Sequence, residues 1–227
     1  MSRESTIAGV AASILVVGSV AWWATRTPRH LPPTASSAIA VPSIQETLEL
    51  NGELEEESWR DSGRTGAFVA PGSTEAARPY SDARFLHDAK NLYVGLYAAD
   101  QDEKRGVDAF LLAFIDPRDD STLTLSVSID KVVKEKRVRG GVASEWASGI
   151  QLGVDADGTL DDPSDEDEEW IVEAAIPLAS LGITAQTREL RASIARCDTP
   201  KDSPERCGAW GAAPDGGIVG RLVLAGL

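Results

Sequence analysis

Nine of the fifteen residues from 155 to 169 carry a carboxylate, the densest set of metal-ligand side chains in the chain. Calcium takes about six to eight oxygens at roughly 2.3–2.6 Å, and a loop of this composition can supply them. The candidate ligands are Asp155, Asp157, Asp161, Asp165 and Asp167, and calcium is the cofactor they would suit. The loop is no EF-hand, because the position that requires glycine after Asp155 and Asp157 is Leu160. A solvated acidic loop without an ion is the alternative.

The second chemical pair is Cys197 and Cys207, the only two cysteines, which enclose CDTPKDSPERC. In an oxidising compartment they would form a disulfide that closes a hairpin-like loop, while in a reducing one they would be two thiols. Their spacing makes neither a zinc pair nor a thioredoxin-like motif. The two histidines, His30 and His87, are 57 positions apart, which leaves nucleophilic catalysis little to draw on. Haem ligation is equally ill provided, with Met1 the single methionine and His87 set between a strand and a turn. No nucleophile motif and no phosphate-cradling loop is present, so neither an enzyme nor a nucleotide cofactor is expected.

Charge narrows the partners. The 227 residues include 22 Lys and Arg against 36 Asp and Glu, a net charge of −14. Nucleic acid is thereby disfavoured, since its binding needs a basic surface that displaces counterions from phosphates.

Three stretches organise the chain. Residues 5–25 (STIAGVAASILVVGSVAWWAT) hold no charge and are long enough for a hydrophobic helix spanning a bilayer. Trp22 and Trp23 stand at its end with Arg26 and Arg29 just beyond, as suits an interface. A cleaved signal peptide is the alternative, although cleavage after Ala24 would place the bulky Trp22 at −3. No cysteine follows that could take a lipid. Residues 1–25 are therefore read as a membrane anchor or signal segment. Residues 26–43 (RTPRHLPPTASSAIAVPS) read as a tether rich in Pro, Ser and Ala. The body, 44–227, would lie outside the cytoplasm, in the periplasm or beyond the cell.

The body alternates with period two almost throughout. In Asn91–Ala99 (NLYVGLYAA), Leu92, Val94 and Leu96 share one face, and in 121–129 (STLTLSVSI) aliphatic residues alternate with Ser and Thr. Ala109–Ile115 (AFLLAFI) is apolar on both faces, as a central strand would be. Further strands are expected at 66–70, 83–87, 131–139, 150–155, 170–176, 190–196 and 218–224. Short helical turns are expected only at 54–59 and 178–181. Strand 131–139 (KVVKEKRVR) has the charge of a protected edge. About ten strands with turn residues between them make the fold class all-β, an antiparallel, jelly-roll-like β-sandwich preceded by the hydrophobic helix.

Four segments of the body resemble carbohydrate-binding module family 9. Residues 50–59 (LNGELEEESW) are similar to its opening "DGxLDExxW", and 85–94 (FLHDAKNLYV) with Asp100 to "lxxDdxxLYvaxxxxD". Residues 157–177, through Trp170, Glu173 and Pro177, are similar to "GTxNdxxDxDxgWxvExaIPxxxL", and 220–224 (GRLVL) to the closing strand. The resemblance covers nearly all of 44–227. It implies a sandwich, a non-catalytic role and a glycan or polysaccharide as partner, with calcium binding known in the family. Trp59 and Trp170 would be core residues. The family's two sugar-sandwiching tryptophans have no counterpart: 104–116 (KRGVDAFLLAFID) and 212–217 (AAPDGG) hold no tryptophan. A pyranose stacks its C–H face on an aromatic ring while polar groups take its hydroxyls, so Trp146, Trp210 and Tyr80 are the remaining ligand-binding candidates. The expected function is a cell-envelope carbohydrate-binding protein. The alternative is a structural or protein-interaction sandwich that has lost the sugar site, with an envelope protein as its partner.

Overall fold

The computed structural model describes residues 37–162, 164, 166–199, 204–213 and 215–226. The hydrophobic helix expected at 5–25, most of the tether and the candidate ligand Asp165 lie outside these residues. No helix among the described residues is long and apolar enough to cross a membrane.

Among the described residues, thirteen strands form two sheets. In chain order they are β1 (Ala38–Val41), β2 (Gly63–Arg64), β3 (Ser81–His87), β4 (Asn91–Ala99), β5 (Ala109–Ile115), β6 (Thr122–Ser128) and β7 (Val133–Arg139). They continue as β8 (Val142–Ser144), β9 (Gln151–Asp157), β10 (Glu169–Pro177), β11 (Glu189–Asp198), β12 (Arg206–Trp210) and β13 (Gly220–Leu224). One sheet runs β1-β13-β11-β5-β6-β7-β8, with β12 beside β13 along the same edge of β11, and the other runs β2-β3-β4-β10-β9. Every pair of strands is antiparallel except β1 and β13, which run parallel.

The alternation read from the sequence is what closes the sandwich. From the larger sheet, Phe110, Leu112, Phe114, Leu123, Leu125 and Ile194 turn inward, and from the smaller sheet Phe85, Val94, Leu96, Trp170 and Val172 meet them. Packing two apolar faces removes both from water, the main favourable contribution to a sandwich of this kind. Trp59 and Trp170 are core residues, each almost without exposure.

The structure departs from the sequence reading in several places. β1 lies inside the segment read as tether, because Ile39 and Val41 find an apolar place beside β13 that the local composition does not reveal. Residues 66–70 make no strand, only isolated bridges from Val69 to Ala76 and to Ala209. Residues 178–181 are turns, and the helical element near 54–59 is a 3-10 helix at Glu57–Asp61. The short β8 and β12 hold too few alternating residues to stand out. β8 also displaces β7 from the edge position that its charge suggested.

The two sheets differ on their outer faces. Ile44, Leu48 and Trp59 pack over Leu86, Tyr93 and Ala175 of the five-stranded sheet, and Ala67 and Tyr80 cover Tyr97. The N-terminal part of the body thus covers that sheet, while no described residue covers the outer face of the larger sheet in the same way.

Candidate functional site

The open face carries rows set by strand register. Leu111 of β5 stands opposite Ser126 of β6, which stands opposite Lys134 of β7; Ala113, Thr124 and Lys136 form the next row. Because Leu112, Leu123 and Leu125 take the inward positions, their neighbours must point out, and Leu111 is 47% exposed. An open groove of about 600 Å³ runs over these rows and is closed on one side by Ala143, Ser144 and Glu145. Hydroxyl residues, two lysines, two glutamates and one leucine therefore line a shallow surface.

Trp146 follows Glu145 in the chain but is not among the residues that line this groove. It is partly buried, with one side packed against the main core. Its segment is tied down by Glu135 of β7, whose carboxylate accepts the Ser148 N–H at 2.9 Å and a short bond from the Ser148 hydroxyl. The other two aromatic candidates are interior residues. Tyr80 is 3% exposed and donates its hydroxyl to Asp82 at 2.7 Å; Trp210 is 6% exposed, with its ring 5.9 Å from that of Phe85. Neither ring offers a face to solvent, since Tyr80 packs against Tyr97 and Trp210, the last residue of β12, against Phe85.

A second concentration of chemistry lies at the end of the sandwich where β4 and β11 finish and β5 begins. Asp100, Asp108 and Asp198 each offer a carboxyl oxygen, all within 4.8 Å of one another, and all three residues are buried. Arg196 donates to Asp100 at 2.6 Å and to the Ala99 carbonyl at 2.9 Å, and approaches Asp198 at 3.5 Å. Trp170 donates its indole N–H to the same Asp100 oxygen at 3.2 Å. Glu103 is 1% exposed, and both of its carboxyl oxygens lack a hydrogen-bond partner. Burial, then Asp167, Asp100 and Asp108, push the Glu103 carboxyl up to about 8. Burial and Asp100 push Asp108 up to about 7, against the pull of the Lys104 N–H and Arg196. Charge in a space poor in water favours the neutral acid unless a cation is near.

The acidic loop itself does not close into a chelating group among the described residues. Asp167 spends its oxygens on main chain, accepting the Glu103 N–H at 2.7 Å and the Thr159 N–H at 3.0 Å. Asp161 accepts the Arg105 N–H at 3.0 Å and lies 3.5 Å from its guanidinium. Asp155 and Asp157 stand exposed along β9. Sequence reasoning missed Asp108, Asp198 and Glu103. Their signal was an acid at a strand terminus, which is common and does not say which termini share an end.

Cys197 and Cys207 are bonded, S–S 2.02 Å, as directly facing residues of β11 and β12.

No family model matches the sequence, and no curated protein does. Solved structures do. A carbohydrate-binding module of family 9 from Caldicellulosiruptor kristjanssonii, in complex with cellotriose, superposes with a TM-score of 0.55 at 12% identity, covering 84% of this chain and 94% of that one. The family 9 module from the same organism with glucose gives 0.56 at 12%, covering 84% and 96%. A Bacteroides uniformis protein to which carbohydrate binding is ascribed gives 0.59 at 10%, covering 82% and 98%. The chain has the fold of family 9 modules.

Proposed function

We propose that this chain is a non-catalytic glycan-binding module of the cell envelope, held by residues 5–25 with its body outside the cytoplasm. The observation that carries this reading is the outer face of the larger sheet, uncovered among the described residues, with its groove over Leu111, Ser126, Thr124, Lys134 and Lys136. Sugar hydroxyls need donors and acceptors spaced along a surface and an apolar patch for their C–H faces. The two hydroxyl residues, the lysines and Glu145 supply the first and Leu111 the second, with the partly buried Trp146 next in the chain after Glu145. The likeness to modules solved with cellotriose and glucose supports the class of ligand.

A second reading has its own support. Tyr80 and Trp210 are interior, and among the described residues no aromatic side chain lines the groove. A protein-interaction sandwich would need none.

Titration of the full chain with oligosaccharides and cell-wall fragments, followed by tryptophan fluorescence, separates the two. Saturable quenching that is lost in Trp146→Ala and weakened in Lys134→Ala supports the glycan site. No response to any glycan from the folded chain moves the assignment to a protein partner.

A further inference from the structure

We propose that the open face takes an acidic polysaccharide, one whose sugars carry carboxylates, with Lys134 and Lys136 as the groups that select it. This rests on the glycan reading above and names the class of glycan.

Charge on this face runs against that of the chain. The net charge is −14. Yet the outward strand positions of the larger sheet carry Lys134, Lys136, Arg191 and Arg221 against Glu189 alone among the described residues. Alternation sets them outward, because their neighbours Leu190, Ala192 and Leu222 are buried, as are Leu123 and Leu125 facing β7. Glu189 is paired with Arg221 at 3.3 Å, and Arg191 donates to the Ile218 carbonyl at 2.6 Å. The two lysine ammonium groups make no ion pair or hydrogen bond among the described residues. Glu135, between them in the chain, gives its carboxylate to Ser148, and Glu145 stands past the end of β8.

The order of the rows suits a uronic acid. Leu111 and Ala113 of β5 offer apolar surface to a C–H face. Ser126 and Thr124 of β6 come next for the hydroxyls, and Lys134 and Lys136 of β7 stand beyond them for the carboxylates. Strands lie about 4.8 Å apart, and alternate residues about 6.8 Å along a strand, so one ring and its neighbour meet all three chemistries. The site is built for carboxylate rather than phosphate. Main-chain N–H groups, which cradle phosphate at helix ends and turns, are consumed here by the sheet ladders, and no arginine fork lines the groove. One ammonium in each row matches one singly charged group. Repulsion from the remaining acids is screened over about 8 Å at physiological salt, and the acidic loop between β9 and β10 belongs to the other sheet.

Calorimetric titration of the full chain in mild detergent tests this, with EDTA present so that no metal bridges acid to acid. The probes are oligogalacturonate, its methyl ester, an oligo(glycerol phosphate) and neutral oligosaccharides. Oligogalacturonate should bind about tenfold more tightly than its ester. It should lose about tenfold in Lys134→Gln/Lys136→Gln, since exposed charge pairs are each worth up to a few-fold. Arg60→Gln/Lys90→Gln makes the same change of charge at exposed residues away from this face and should leave binding unchanged. Equal binding of acid and ester, indifferent to the two lysines, overturns the selection and leaves the glycan reading standing. Tighter binding of the glycerol phosphate overturns the carboxylate assignment. Uronate binding kept in the Lys134/Lys136 variant and lost in the Arg60/Lys90 variant places the ligand elsewhere and overturns the site. Self-association that needs the two lysines, with no uronate bound, overturns it by giving the face to a second copy. No binding of acid, ester or any neutral oligosaccharide removes the glycan reading and this inference with it.

Discussion

Glu173 of β10 accepts the main-chain N–H of Gly52 at 3.0 Å, although 121 positions separate them. The same carboxylate takes the Asn51 N–H at 3.0 Å and the Leu54 N–H at 3.1 Å. Register explains how the chain can lie so close. Glu173 stands between Gly153 of β9 and Gly95 of β4, and these two glycines leave a trough across the sheet. A Cβ on Gly153 would meet the Leu50 carbonyl oxygen at 2.0 Å, and one on Gly95 would meet the Leu54 side chain at 2.5 Å. Gly52 itself has φ +96, a conformation that favours glycine. Two of the four segments that resemble family 9 are thus the two halves of one contact.

Glu173→Ala removes the acceptor for three N–H groups at once. The expected loss is about 3 kcal/mol, since a buried donor left unpaired costs on the order of 1–3 kcal/mol and water can reach some of these. Urea denaturation of the variant against wild type measures it.

The same residue has a pH signature. Burial holds the Glu173 carboxyl above its ordinary range, with the three N–H donors pulling the other way. As pH rises through the ordinary glutamate range, the unfolded chain releases this proton before the folded one. The folded state then binds more protons than the unfolded, so its stability falls with pH. The advantage of wild type over Glu173→Gln is expected to be largest below the ordinary glutamate pKa and to shrink as pH climbs toward the raised folded value. Denaturation midpoints of both proteins across pH 4 to 7 (a span of about three units) follow the difference.

Arg196→Met should be severe. It leaves Asp100 and Asp198 buried without their shared cation, and breaking such a pair costs about 3–5 kcal/mol. Adding Asp100→Asn to the variant removes one of the stranded charges and should recover part of the loss. Urea denaturation of the single and double variants reads both.

Reduction of Cys197–Cys207 frees a loop with a sequence separation of 10. The chain-entropy model gives a cost of about 2–3 kcal/mol. A Cys197→Ser/Cys207→Ser variant should show the same lowered midpoint without reductant, and the β-sheet circular dichroism should be retained, because β11 is also paired to β5 and β13.

How far the site was legible depends on the residue. Strands such as Asn91–Ala99 and Ala109–Ile115 are in the sequence because period-two alternation is a local property, fixed by which neighbours point the same way. The Cys197–Cys207 pairing was legible for a similar reason, since only two cysteines exist and they lie close in sequence. Tyr80 and Trp210 were misjudged as platforms because an aromatic residue near a strand end looks the same whether a later segment covers it or not. The acidic loop drew attention by density, yet Asp161 and Asp167 are occupied by nearby N–H donors.

The sequence alone determined the all-β class, the inward face of most strands and the candidate disulfide, all of which follow from short-range pattern. Only the tertiary structure decided which carboxylates meet and which sheet face stays open. Asp100, Asp108 and Asp198 are 8 and 90 positions apart along the chain, and nothing local states that their strand ends coincide. That coincidence is a consequence of strand order and register, which are set by how the apolar faces of both sheets bury one another.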